Sequence, residues 1–176
     1  MLVHALPGAV FVFQGEELGL ADAPIPDDRR QDPVWFRSGG AQAGRDGARV
    51  PMPWSGSAPP YGFGAAGWLP QPAGWESLTI EAESLDRDST LSLYKAMLRM
   101  RHGIAALSPE VPLRWRESVP QVLAFDRGDG FTCIANTGAA VEVPVDGRII
   151  LSSRPGLTIA NGSVWLPSDT TVWVVR

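Results

Sequence analysis

Apolar and polar positions change their pattern along the chain, and each change predicts a different kind of element. Residues 6–20 read LPGAVFVFQGEELGL, an apolar run that ends abruptly at Gln14, Gly15 and two adjacent carboxylates, Glu16 and Glu17. Its centre, residues 9–13, is β-branched and aromatic without period-two alternation, the texture of a strand buried on both faces of a parallel sheet. From about residue 21 to residue 86 the chain is rich in Pro, Gly and Trp and follows neither the helical nor the strand period. Loops of such length are uncommon in compact domains unless they serve a site.

A helix is predicted next, over residues 88–102. Asp88 or Ser89 supplies its N-cap, and Leu91, Tyr94, Met97, Leu98 and Arg101 recur at steps of three and four. Arg99, Arg101 and His102 fall in the last turn, where cations suit the helix dipole, and Gly103 marks the end. Beyond Pro109 come short alternating segments at 113–117, 122–126, 131–136, 141–145, 148–151 and 171–175. Turn signals at Gly128-Asp129-Gly130, Asp146-Gly147 and Asn161-Gly162 separate them. They predict a small antiparallel β-sandwich.

Composition narrows the possibilities. The 176 residues carry 15 basic and 19 acidic side chains, a net charge of -4, with no basic run to follow a phosphate backbone, so nucleic acid is not an expected partner. No stretch of about eighteen apolar residues could cross a membrane, and residues 1–8 do not read as a secretory leader, which points to a cytoplasmic location. The single cysteine, Cys133, alternates with Phe131 and Ala135 in a core strand, which excludes an intrachain disulfide and suggests no metal cluster. His4 and His102 read as structural, and Asp27-Asp28-Arg29-Arg30 as a solvated loop with too few acids for a metal.

The middle stretch has the most informative spelling: QDPVWF (31–36), GRDGARVPMPW (44–54) and YGFGAAGWLPQP (61–72). Trp35, Trp54, Trp68 and Trp75 offer flat apolar faces, while Arg45, Asp46, Arg49, Glu16 and Glu17 offer hydrogen-bonding groups. A sugar has C–H-rich faces and a rim of hydroxyls, so this mixture suits carbohydrate. The same residues equally suit a loop that packs its own small core.

Taken together and in order, these motifs resemble the C-terminal third of α-glucosidases of glycoside hydrolase family 13, the α-amylase superfamily. The likeness is strong over residues 1–108 and continues through the alternating region as the family's variable C-terminal domain. It implies an α+β chain: the end of a (β/α)8 TIM barrel followed by a small antiparallel β-sandwich, divided into 1–108 and 109–176. Residues 9–14 would be the eighth barrel strand, the long loop its βα loop and the predicted helix the outer eighth helix. By the same resemblance Arg45 matches the arginine that reaches the non-reducing-end hydroxyls, and Arg45, Glu16 and Arg49 are the expected substrate-binding residues. Arg49 is also open to a loop-stapling pair with Asp46 or Asp32.

The family's aspartate nucleophile, glutamate acid/base and further aspartate precede the eighth strand, so no catalytic residue is expected in this chain. Glu16 and Glu17 cannot replace them. Retaining glycosidases hold two carboxyl groups facing each other about 5–5.5 Å apart, whereas adjacent residues at a strand end point to opposite sides. The expectation is therefore a portion of an exo-acting α-glucosidase that cleaves terminal α-linked glucose from oligosaccharides. Its partners would be an α-glucosidic oligosaccharide and the missing N-terminal barrel portion; it needs no cofactor and is inactive alone. The alternative is a non-enzymatic carbohydrate-binding or structural β-domain.

Overall fold

The computed structural model describes residues 1–65 and 67–176; Ala66, within the 61–72 motif, lies outside the described residues. Helices are α1 (Leu2–Ala5), α2 (Pro33–Arg37), α3 (Ile80–Leu85) and α4 (Thr90–Gly103). Strands are β1 (Leu113–Trp115), β2 (Val122–Arg127), β3 (Phe131–Asn136), β4 (Val141–Pro144), β5 (Arg148–Ser152), β6 (Ser163–Leu166) and β7 (Thr170–Val175). The chain forms two compact units, one of Met1–Phe11 with Lys95–Arg176 and one of Val12–Tyr94.

In the first unit β1-β2-β3-β7-β5 form one antiparallel sheet and β4-β6 a second. Alternation sorts the side chains. Val122, Ala124, Ile134, Val172 and Val174 of the larger sheet meet Val143, Val164 and Leu166 of the smaller in one apolar core. On the opposite face the register aligns Phe125, Cys133 and Trp173, and Phe131 meets Trp173 edge to face with centroids 5.4 Å apart. β3 therefore has both faces covered and is buried throughout. Burial pushes the Cys133 thiol up to about 12, so it packs and does not react.

A buried arginine ties the first residues to this sheet. Arg127 donates to the carbonyls of Ala5 (2.6 Å), Ser108 (2.7 Å) and Val111 (3.1 Å). Arg101 on α4 donates to the carbonyls of His4, Leu6 (2.9 Å) and Gly8 (2.6 Å). His4 and Ala5 belong to the four-residue α1, whose brevity leaves their carbonyls without intrahelical partners. The short strand β6 was not expected from the sequence. Its alternation is plain in retrospect: Val164 and Leu166 are buried while Trp165 is exposed.

In the second unit the long stretch is ordered by small devices. Ala23, Ile25, Val50 and Leu69 form a core that Trp75 packs against, so the loop does build an interior of its own. Asp32 caps α2, accepting from Val34 N at 2.9 Å, and Thr79 caps α3, accepting from Ala82 N at 3.1 Å. α4 begins where Ser89 Oγ accepts from Ser92 N (3.1 Å) and Glu83 accepts from Leu91 N (2.8 Å), which settles the N-cap on Ser89.

The expected eighth strand is corrected. Residues 9–14 form no strand, and Phe11 and Phe13 are 88% and 52% exposed. A strand exists through its ladder, and no described segment pairs with this one.

Candidate functional site

The acidic pair sits on a single 3₁₀ turn, Glu16–Leu18, bracketed by Gly15 (φ 93) and Gly19 (φ 62) in the left-handed region. Glycine is required at Gly19 on both counts, because a Cβ there would also meet Thr90 Oγ1 at 3.1 Å. On such a turn successive side chains diverge by about a third of a turn, instead of pointing to opposite sides as at the expected strand end. Glu17 accepts from Gly15 N at 2.9 Å and so closes its own turn, whereas Glu16 is exposed and has no side-chain hydrogen bond or ion pair among the described residues. Burial raises the Tyr94 phenol above its ordinary range, and the charges of Glu16 and Glu17 add to the effect.

Two buried carboxylates hold the arginine-bearing segment. Asp46 is fully buried and accepts from Gln31 N (2.7 Å) and Asp32 N (2.9 Å); its Oδ1 has no partner among the described residues. Asp32 accepts from Arg45 N (2.9 Å) and from the Arg49 guanidinium (3.2 Å) as well as capping α2. The amides of Val34 and Arg45, then the charges of Arg49 and Arg45, hold its carboxyl below the usual range against the opposing effect of burial. Gly44 permits this close approach: with φ +70, a Cβ there would lie 2.6 Å from Asp32 Cβ.

Arg49 is thus the loop staple that its spacing from Asp32 allowed. Arg45 is exposed, with its backbone fixed and its guanidinium in no hydrogen bond or ion pair among the described residues. Rigid backbone with unspent forked donors is what recognition of hydroxyls needs.

A cavity of about 280 Å³ opens between the acidic turn and this segment. Phe13, Glu16, Asp22, Met52 and Trp75 line it, together with Gly47 and Ala48. Gln14 helps fix its wall by donating to Val50 O at 3.2 Å. Of the residues expected at the site, the structure brings Glu16 into this lining; Arg45 and Arg49 lie on the same segment as Gly47 and Ala48 but outside it. Sequence reasoning missed Phe13, which it assigned to a strand interior, and Asp22. A third acid six residues after Glu16 was the available signal for Asp22.

The pocket is thus lined by aromatic rings and carboxylates, on a chain that is α+β with two antiparallel sheets. The family described as "Alpha amylase, catalytic domain" matches residues 1–109. A probable α-glucosidase of Rhizobium meliloti is 34% identical over 130 residues, covering 73% of this chain and 23% of that protein. Maltase A2 of Drosophila melanogaster is 25% identical over 163 residues, covering 92% of this chain and 24% of its own. Among solved structures, the α-glucosyl transfer enzyme XgtA superposes with a TM-score of 0.83 at 28% identity, covering 99% of this chain and 34% of that one. The chain belongs to the α-amylase family, glycoside hydrolase family 13, and corresponds to the C-terminal portion of its α-glucosidases. It spans about a quarter of the length of these two curated relatives.

Proposed function

We propose that the chain is the sugar-gripping end of an exo-acting α-glucosidase that removes terminal α-linked glucose from oligosaccharides. The observation that carries this is the cavity of about 280 Å³. It lies at the small end of the roughly 300–1,000 Å³ usual for ligand pockets, so it suits one sugar ring and not a chain of them. Glu16 accepts from ring hydroxyls inside the cavity, and Arg45, outside its lining, donates to hydroxyls that project from it. Arg49, with one nitrogen committed to Asp32, presents its remaining donors.

The bond-breaking carboxylates belong to an upstream barrel portion, on the same polypeptide or another, which also supplies strands for residues 9–14. Residues 1–108 complete the barrel and residues 109–176 stand as its β-domain. The free, buried Cys133 fits a cytoplasmic setting.

The test is to join the chain to the upstream barrel portion of a relative and assay p-nitrophenyl α-glucoside. The joined protein is expected to turn over. Arg45→Ala should lower kcat/KM about 10- to 100-fold, the loss of charge-assisted hydrogen bonds. The chain alone should match the blank, and turnover by it would overturn the placement of the chemistry upstream.

A further inference from the structure

The first turn of α4 is held twice. Ser89 Oγ accepts from Ser92 N, and Glu83, the buried acid of α3, accepts from Leu91 N at 2.8 Å while its own carbonyl accepts from Ser89 Oγ at 2.8 Å. Electrostatics opposes the second hold. Burial raises the Glu83 carboxyl above its ordinary range, and the charges of Asp86 and Glu17 add to the effect, with the Leu91 amide pulling the other way. A buried acid faced by two others is a costly acceptor for a helix end that Ser89 already caps. Against this end of α4 lies the acidic turn. A Cβ on Gly19 would meet Thr90 Oγ1 at 3.1 Å and Thr90 Cβ at 3.6 Å, and Tyr94, four residues further on, feels the charges of both Glu16 and Glu17. The acidic turn is also closed on itself: Leu18 N and Leu20 N donate to Gly15 O at 3.1 and 2.9 Å, Gly19 N donates to Glu16 O at 3.1 Å, and Leu18 is fully buried. Gly19 and Glu16 therefore move as one piece.

We propose that Glu83 is a positioning residue of the cavity: by holding the Leu91 amide it fixes Thr90 against Gly19, and so sets where the acidic turn presents Glu16. Its consequence for sugar rests on the sugar-pocket reading; the link from Glu83 to the turn does not. Glu83 lines no part of the cavity and acts only through α4 and the turn. The link is also sensitive to acid. An ionised acceptor holds an amide more strongly than a neutral one, so protonating Glu83 loosens α4 at Leu91 and frees the turn to shift. The groups facing Glu83 are Asp86, beyond the end of α3, and Glu17, on the turn itself, while Tyr94 of α4 faces Glu17; both charges that act on Glu83 are negative.

The test follows the full chain by amide and carboxyl NMR as pH is lowered, in the variant Glu17→Gln so that the turn does not report the titration of Glu17. The amides of Leu91, Leu18 and Gly19 should shift with the midpoint of the Glu83 carboxyl, and that step should vanish when Glu83→Gln is added. At neutral pH Glu83→Ala removes the acceptor; it should displace the Leu18 and Gly19 amides and weaken binding of methyl α-glucoside about tenfold. Glu83→Gln keeps an acceptor for Leu91 N and should bind within about threefold of the wild type. A role in stability alone would lower the unfolding midpoint of Glu83→Ala and leave both readouts of the folded protein where they were. The titration needs no destabilised variant, so it decides even where Glu83→Ala does not fold. If Leu18 and Gly19 stay still while Leu91 follows Glu83, or if the wild type and Glu83→Ala bind the glucoside equally, the inference falls and the sugar pocket stands. If the three amides move together and the wild type binds no glucoside, the pocket reading falls and Glu83 still positions the turn.

Discussion

The two sheets and the long loop are both ordered, but by opposite means. In the sheets the strands are held along their length by a repeating ladder, and one core, from Val122 to Val174, is shared by residues on five strands. In the loop, order comes from a handful of points: Asp32 and Asp46 gather backbone amides and the Arg49 guanidinium across separations of 13 to 17 positions, and a core forms from Ala23, Ile25, Val50 and Leu69. Distributed interactions make the first region tolerant of polar changes and sensitive to lost volume. Point anchors make the second sensitive to single carboxylates, and they leave Arg45 and the cavity wall fixed without a sheet beneath them.

The largest test of this contrast is volume. Trp173 is fully buried, with Phe131 against its ring, so Trp173→Ala should destabilise the first unit by about 3–5 kcal/mol in urea unfolding. Leu69→Ala removes less volume from a smaller core and should cost less. Equal costs would show that the loop core is as cooperative as the sheets.

Next is the anchor. Asp46→Ala strands the amides of Gln31 and Asp32, and a buried donor left unsatisfied costs about 1–3 kcal/mol. Hydrogen exchange at those amides should accelerate while the β3 amides keep their protection. Uniform acceleration would mean that the two regions unfold as one.

This contrast also explains what could be read from the sequence. The strands beyond Pro109 and α4 have periods, and all six strands expected there appear within a few residues of their predicted limits, whereas the one expected at 9–14 does not appear. β6 escaped because only four residues, 163–166, stand between the Asn-Gly turn signal and Pro167, the shortest run that reads as a strand. The loop has no period because its order lies in pairings such as Asp32 with Arg45 N, and neither spacing nor hydropathy encodes them. At the site, Glu16 was legible as the end of an apolar run, whereas the place of Asp22 in the cavity lining depends on the pairing of Ala23 N with Gly47 O, which no spacing encodes.

A smaller and reversible difference should appear with pH. The folded Asp32 carboxyl is held below its ordinary value, chiefly by the Val34 and Arg45 amides. Its contribution is therefore complete above the unfolded value near 4 and is lost as pH falls through the lower folded value. On acidification from pH 5, NMR signals of Val34 and Arg45 should shift before those of Ile134 and Val172. Simultaneous shifts would remove the special role given to Asp32.

The smallest effect on stability, and the sharpest test of what makes a strand, concerns residues 9–13. AVFVF and the TVWVV of β7 have the same β-prone texture, yet β7 lies between β3 and β5 while residues 9–13 pair with nothing described. Phe11, at 88% exposure, contributes almost no burial. Phe11→Ser should therefore change stability by no more than about 0.5 kcal/mol. The amides of residues 10–13 should exchange rapidly in the monomer, because no ladder protects them. Self-association should fall in the same variant, since an unpaired apolar segment is a template for another chain, and sedimentation at rising concentration measures it. Slow exchange at Val10 and Val12 in the monomer would mean that texture alone can hold a strand, and the contrast between ladder and point anchor would lose its basis.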